Sequence, residues 1–434
     1  MKTVVGQLLD NLNKAAAAAR RWIMENKKEI NELLERVDGI LAEAISIRRD
    51  FHAHPELSEQ EIRTEAKISE YLTAWGIPHE TGVAGHGVVG LIQGKGPFAV
   101  AIRADIDALP IAEKNDVPYK SQNPGAMHAC GHDIHAAVLL ASAKLLKGME
   151  DQLPGSVKLI FQPAEETVGG ALPMIKAGCL ENPRVDAIIG LHVEPGIPSG
   201  AVEFRRGGMN AASNEFIITV TGSSSHGARP EQGVDAILAA SQIVGALQSI
   251  PGRNIAATDS ALITVGQFNA GTASNVLAGE AVLKGIIRAL SNETRALAAR
   301  RVREVAQSMA RAYGASAEVH MIESYPALIN NDEIESILER TAARFFSPGS
   351  IYFRPNSSMG AEDFSYFCDA VKGAYFNIGT ADPQGQAAPY PSLHSEYYCP
   401  HEGCIRAGIL METAGAFAIL KDLSKGLTNA APAD

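Results

Sequence analysis

FAVAIRADIDALP, Phe98–Pro110, decides how the fold is read. An apolar run over Phe98–Arg103 ends in two aspartates, Asp105 and Asp107, and then a proline. A short apolar run closed by turn residues fits a strand buried on both faces, as in a parallel sheet covered by helices. Comparable runs occupy Gly87–Ile92, Val157–Gln162, Val185–His192 and Tyr375–Ile378, and helical stretches such as Ile134–Lys147 lie between some of them. This alternation predicts an α/β architecture with helices on the faces of a sheet. In such sheets the chemistry gathers at the C-terminal ends of the strands. Those ends read RADIDALP, FQPAEE and GLHVEP.

The middle of the chain has another rhythm. Strands are predicted at Glu215–Thr221, Ala261–Phe268, Ala281–Leu290 and Ala317–Ile322, and helices at Val234–Ser249 and Glu293–Tyr313. That βαββαβ order is the ferredoxin-like plan, self-contained enough to be an inserted domain. With 434 residues the chain exceeds what one core usually serves. The division expected is an inserted unit over residues 211–324, with hinges at Arg205–Ala212 and Glu323–Pro326. The larger domain then comprises residues 29–210 and 325–434. From Val4 to Phe51 apolar residues recur at three- and four-residue steps, predicting two amphipathic helices, with residues 1–28 as a helical extension.

Composition narrows the class further. A net charge of -11 argues against nucleic acid as a partner. No apolar run approaches the roughly 20 residues that span a bilayer. The N-terminal Ala run is interrupted by charge, and Arg20 and Arg21 follow it, which is not the order of a secretory signal. Five scattered cysteines do not form a disulfide framework. A cytoplasmic, reducing location is the expectation.

MHACGHDIHAA, Met127–Ala137, crowds Cys130, His132, Asp133 and His135 at the entrance to a helix. Thiolate, imidazole and carboxylate are the side-chain classes that bind transition metals. A helix-capping or core role competes, as does a nucleophilic cysteine. FQPAEE ends a strand with Glu165 and Glu166, so that one carboxylate can bind metal while its neighbour handles protons. Alone, the pair reads as a solvated acidic turn. His192 in GLHVEP and His394 in LHSEYY add imidazoles at a strand end and a loop. Asp105 and Asp107 suit the carboxylate partners that metal-bound imidazoles need, or a structural turn. In the inserted domain, VTGSSSHGARP displays His226, GTASNVLAGEA holds Asn275, and Arg288 lies on the next strand. These bind substrate or merely satisfy turns.

Taken together, the motifs resemble the aminoacylase, hippurate hydrolase and auxin-conjugate amidohydrolase family of metallopeptidase-like enzymes. The resemblance runs from about Ile47 to Leu420 through RRDFHAHPELS, RADIDALP, MHACGHDIHAA, FQPAEETVGGA, GLHVEP, SHGARPEQGVDAI, ASNV, GAEDFSYF and LHSEYY. It implies a catalytic domain built on a central mixed sheet, with the inserted ferredoxin-like domain acting as lid and dimerisation domain. It implies two divalent ions, zinc or manganese with cobalt or nickel open, held by Cys130, His132, Glu166, His192 and His394, with Cys130 bridging. Glu165 matches the general acid/base, Asp107 a residue supporting the metal centre, and His226 a lid histidine that reaches the other subunit of a homodimer. Apart from the resemblance, Asn275 and Arg288 are candidate readers of the substrate carboxylate. The activity implied is hydrolysis of N-acyl amino acids, with a dipeptidase, a carbamoylase or a catalytically silent metal-binding homologue as alternatives. The SSS before His226 and the missing proline after ASNV depart from the family's usual lid sequence.

Overall fold

The computed structural model describes residues 2–167, 169–383 and 391–428, with side chains described between residues 27 and 425 of these. Helices α1 (Lys2–Ala53) and α2 (Ile62–Ala74) lead into strands β1 (His79–Val83), β2 (Gly87–Ile92) and β3 (Ala99–Asp105). Then come α3 (His132–Lys147), β4 (Ser156–Gln162), α4 (Ala171–Lys176), β5 (Ala187–Pro198), β6 (Val202–Phe204) and β7 (Gly207–Asn210). The inserted unit comprises β8 (Ala212–Thr221), α5 (Ala236–Leu247), α6 (Ser249–Asn254), β9 (Ala261–Ala270), β10 (Glu280–Ala289), α7 (Asn292–Ala312) and β11 (Ser316–Glu323). The chain returns through β12 (Leu328–Asn330), α8 (Asp332–Phe345), β13 (Ile351–Phe353), α9 (Ser365–Ala370), β14 (Lys372–Ala381) and α10 (Cys404–Thr428).

The expected pair of N-terminal helices is one continuous helix. No glycine or proline falls between Gln7 and Asp38, so nothing in that stretch breaks the backbone. The helix stops only before His54-Pro55, because the residue preceding a proline is pushed out of the α region. Val37, Ile40, Ala44, Ile47 and Phe51 are buried on one face of α1, which packs on α3 and α10. The apolar steps at Leu8, Leu9 and Leu12 lie outside the described side chains.

Eight strands form a mixed sheet in the order β1-β2-β4-β3-β5-β14-β6-β13. Strands β4, β3, β5 and β14 run parallel, while β1 and β2 continue antiparallel at one side. Each of the parallel strands is apolar over most of its length because helices cover both faces. One face carries the core of α1, α3 and α10, and the other the smaller core of Met174, Phe364 and Phe367. The parallel register sets Asp105 opposite Gln162, so the polar residues that follow all three strands emerge at one edge.

The inserted unit is a four-stranded antiparallel sheet in the order β11-β8-β10-β9, with its own core of Phe216, Ile218, Leu283 and Val302 beneath α5 and α7. Asp235 caps α5 and Ser291 caps α7, each accepting the backbone N–H three residues on. Two short strands, β7 and β12, pair at the joint between this unit and the main sheet. Among the described residues no helix is long and apolar enough to cross a membrane.

Candidate metal centre

Gly131 explains how one short turn delivers two donors. Its φ is +86°, and a Cβ there would sit 2.5 Å from Val193 Cγ2, so a side chain is refused on both counts. Cys130 and His132 flank this turn at the start of α3. Asp133 turns away, accepting from Arg48 Nε at 2.8 Å and lying 2.8 Å from His52 Nδ1. His135 is also committed elsewhere: Nδ1 lies 2.5 Å from Asp105, and Nε2 accepts the backbone N–H of Val193 at 3.1 Å. Of the four crowded residues, Cys130 lines the cavity, and His132 lies just behind it with Nε2 3.9 Å from Glu166 Oε1.

Three histidines contribute to two neighbouring donor sets, His132 and His192 to one and His394 to the other. His132 donates through Nδ1 to the carbonyl of Asp107 at 2.9 Å and lies 3.2 Å from its carboxylate. His192 donates Nδ1 to its neighbour's carbonyl, Val193 O, at 2.8 Å, which leaves Nε2 3.5 Å from Cys130 Sγ. His394 adopts φ +64°, its N–H donates to Ala129 O at 2.9 Å, and its Nε2 lies 3.4 Å from Glu166 Oε1. Donor atoms of Cys130, His132 and His192 all lie within 4.8 Å of one another, and so do those of Cys130, Glu166 and His394. The two sets share the thiol.

Among the described residues, His132 Nε2 and Glu166 Oε1 are buried without a well-formed hydrogen bond, the 3.4 Å approach of His394 to Glu166 being the nearest to one. A buried unpaired polar atom costs about 1–3 kcal/mol, so two of them side by side need an explanation. A cation between them supplies one, and imidazole, thiolate and carboxylate are the donor classes suited to a divalent transition metal. Charge leads to the same reading. Burial opposes protonation of His132, yet Asp105, Asp107 and Glu166 overcome it and carry the imidazole up to about 10. The anionic pocket favours positive charge at its centre.

Asp107 organises this pocket from behind: its Oδ2 accepts from Ser58 at 2.7 Å and from the backbone N–H of Glu166 at 3.0 Å. Glu165 does not diverge from Glu166: donor atoms of His132, Glu165 and Glu166 all lie within 4.8 Å of one another, and both acids line the same cavity. Burial, and after it the charges of Glu362 and Asp363, push the Glu165 carboxyl well above the usual carboxylate range. Cys130 is likewise held as a thiol by burial and by Glu166 and Glu165. Burial and these two acids oppose a thiolate, which weighs against a nucleophilic cysteine.

The cavity over these residues measures about 430 Å³ and is also lined by Met209, Asn210, Arg288, Tyr325 and Arg354. Arg288 reaches in from β10 of the inserted unit. Burial lowers its affinity for a proton, it donates to Ser213 Oγ, and it has no carboxylate within ion-pair distance among the described residues. His226 and Asn275 do not line the cavity. They sit together on exposed loops of the inserted unit, joined by the Gly227 N–H to Asn275 O bond of 2.8 Å.

With that geometry in place, comparison with known proteins decides the family. The model of peptidase family M20/M25/M40 matches residues 101–414. The chain belongs to that family. An N-acetyl-L-cysteine deacetylase of Bacillus subtilis is 39% identical over 82% of this chain and 85% of its own length. An IAA-amino acid hydrolase of Arabidopsis thaliana is 36% identical over 89% of this chain and 87% of its own. The crystal structure of a B. subtilis protein described as a dinuclear metal binding peptidase of the M20 family superposes with a TM-score of 0.77. It shares 32% identity, covering 88% of this chain and 99% of that one.

Several residues of this M20 site were not singled out from sequence. Arg103, fully buried on β3, donates to Gln162 at 2.8 Å, Asp105 at 2.7 Å and Asp363 at 2.7 Å. Tyr375 donates to Glu362 at 2.9 Å. Arg354 bonds Glu203 at 2.8 Å and also Glu194. Glu362 and Asp363 stand in GAEDFSYF, where adjacent acids before aromatics were the available signal. Arg103 offered one too, as a charge inside an otherwise apolar strand, which survives only when paired.

Proposed function

We propose that this chain hydrolyses the amide bond of N-acyl amino acids, releasing a carboxylic acid and an amino acid, at a centre of two divalent ions. The observation that carries the reading is the pair of donor sets sharing Cys130, with the poorly hydrogen-bonded His132 Nε2 and Glu166 Oε1 between them and Glu165 alongside. Cys130, His132, Glu166, His192 and His394 would hold the ions, and Asp107 orients His132 and Glu166. Thiolate and imidazole donors favour zinc, and the carboxylate admits manganese, cobalt or nickel. When bound, the ions lower the pKa of water and polarise a carbonyl.

Glu165 removes a proton from the attacking water and returns it to the leaving amine nitrogen. Its burial among Glu362 and Asp363 favours holding the proton between these two events. Arg288, a half-buried cation with no carboxylate in ion-pair range among the described residues, reads the substrate carboxylate from the lid side. His226 does not line its own cavity and is exposed on the lid, so it acts on a partner subunit's cavity in a homodimer. Exposed Ile237, Leu238, Phe268 and Val276 give the lid an apolar surface for that association. Five free cysteines suit a reducing cytoplasm.

The test is a panel of N-acetyl, N-benzoyl and indole-acetyl amino acids. The protein is stripped by chelator and refilled with zinc, manganese, cobalt or nickel. Activity should vanish on stripping and return with metal, and Glu165→Gln should retain metal while losing turnover. Hydrolysis that survives chelation, or a Glu165→Gln variant with substantial activity, refutes the assignment.

A further inference from the structure

Tyr325 lies between β11 and β12, where the chain leaves the inserted unit, and its two halves belong to different parts of the molecule. The backbone is tied to the base of the lid. Its carbonyl accepts from Ser213 N at 2.8 Å, beside the other crossing point, and from Arg295 Nη1 of lid helix α7 at 3.2 Å. The same guanidinium holds Ser324 O at 3.1 Å and Ser213 O at 3.5 Å, gathering both crossing segments. Tyr366 donates to Ser324 O at 3.2 Å from the main domain.

The side chain reaches back to the site. Its hydroxyl donates to the backbone carbonyl of Glu165 at 2.8 Å. Its ring covers Gly169, where a Cβ would stand 2.7 Å from Tyr325 Cε1, and Gly169 closes the turn by donating to Ala164 O at 3.0 Å. Ala164, which opens the turn, has φ +56° and is pinned by its N–H to Glu61 Oε1 at 2.8 Å. A non-glycine residue in that region is strained and persists only where surrounding contacts impose it. The turn that aims Glu165 is therefore held from one side by Glu61 and Asp107, and from the other by a residue whose backbone moves with the lid.

We propose that Tyr325 is a positioning residue that ties the orientation of the lid to the placement of Glu165, so that the lid sets the proton-carrying carboxylate as it brings Arg288 over the substrate. The proposal rests on Glu165 being the proton carrier. Arg295 is the lid-side anchor of the same tie. Burial keeps the phenol protonated and thus a donor.

Tyr325→Phe keeps the ring over Gly169 and removes only the hydroxyl. Losing one hydrogen bond from a positioned turn should lower kcat about five- to tenfold on the best substrate of the N-acyl amino acid panel. KM should stay within about twofold, as expected when substrate binding is untouched. Hydrogen exchange should quicken in peptides carrying Glu165 and Glu166 but not in peptides of α5 or α7. Arg295→Gln should lower kcat in the same way, and the double variant should fall less than the product of the two, because both break one tie. Wild-type kcat in Tyr325→Phe, unchanged exchange around Glu165, or independent multiplication of the two effects overturns the proposal. The exchange measurement needs no turnover, so it separates a failed tie from a failed assignment of Glu165, which an active Glu165→Gln would reveal by itself.

Discussion

Replacing Asp107 by alanine is the sharpest probe of how the protein prepares its metal donors. The carboxylate touches the proposed ligand set at two places: Oδ1 faces His132 Nδ1 at 3.2 Å, and Oδ2 accepts the Glu166 N–H at 3.0 Å. A third bond, from Ser58 at 2.7 Å, fixes the carboxylate itself. The substitution leaves one interaction intact, because His132 also donates to the backbone carbonyl of Asp107 at 2.9 Å. The tautomer that presents Nε2 therefore survives, while the ring loses a charged partner and Glu166 loses its tether. Partners of this kind change metal affinity by about 10- to 100-fold, roughly 1.4 to 2.7 kcal/mol. With one His132 bond retained, the effect belongs in the lower half of that range. Titration of stripped protein with manganese against a chromophoric chelator measures it directly, and activity should recover largely at saturating metal. Unchanged affinity would refute the supporting role. Loss of binding as complete as in His132→Ala would make Asp107 a ligand instead.

Three further outcomes are expected. Arg288→Ala should raise KM for N-acyl amino acids by about tenfold or more while kcat changes little, as for lost ground-state binding of a carboxylate; an equal effect on the corresponding amino acid amides would contradict it. His226→Ala and Glu165→Gln, each inactive alone, should regain about a quarter of wild-type activity when unfolded and refolded together, since half the dimers then hold one complete site; no recovery among demonstrably mixed dimers would end the reading in trans. Glu335 accepts Arg205 N–H at 2.9 Å through one oxygen while burial raises its carboxyl to about 8 from 4.5. The folded protein thus keeps a proton that the unfolded chain has released between those values, so its stabilisation is complete below pH 4.5 and fades as pH rises through about 8. Glu335→Gln should flatten the fall of the denaturation midpoint between pH 6 and pH 8, and an unaltered slope would show the proton lies elsewhere.

Much of this was legible because strands buried on both faces announce themselves as apolar runs. FAVAIRADIDALP, VKLIFQ and VDAIIGLH each become a parallel strand, and their polar ends meet because parallel strands finish at one edge. The inserted βαββαβ unit was readable for the same reason, its periods switching cleanly between two and 3.6. The sequence predicts two helices where the structure has the single helix α1, because apolar periodicity marks a helical face but does not by itself say where one helix ends and the next begins. In the site, residue type revealed donors but not direction: His132 and His135 look equivalent in sequence, and Val193 N–H decides between them. Arg103 and Tyr325 escaped because their roles come from partners distant along the chain, which no local pattern records.

The N–H of Ser213 and the carbonyl of Tyr325 are 2.8 Å apart, so the inserted unit enters and leaves the main domain through a single doorway. A unit whose ends touch can be exchanged as a cassette without rethreading the sheet beneath it. The division of labour makes that exchange meaningful. Every proposed metal donor is rooted in the main domain, whereas Arg288 rides on the cassette. Selection, or a protein engineer, can therefore vary the proposed carboxylate reader by replacing one contiguous gene segment, provided that Arg295, Tyr325 and His226 travel with it, while every proposed metal donor stays in place.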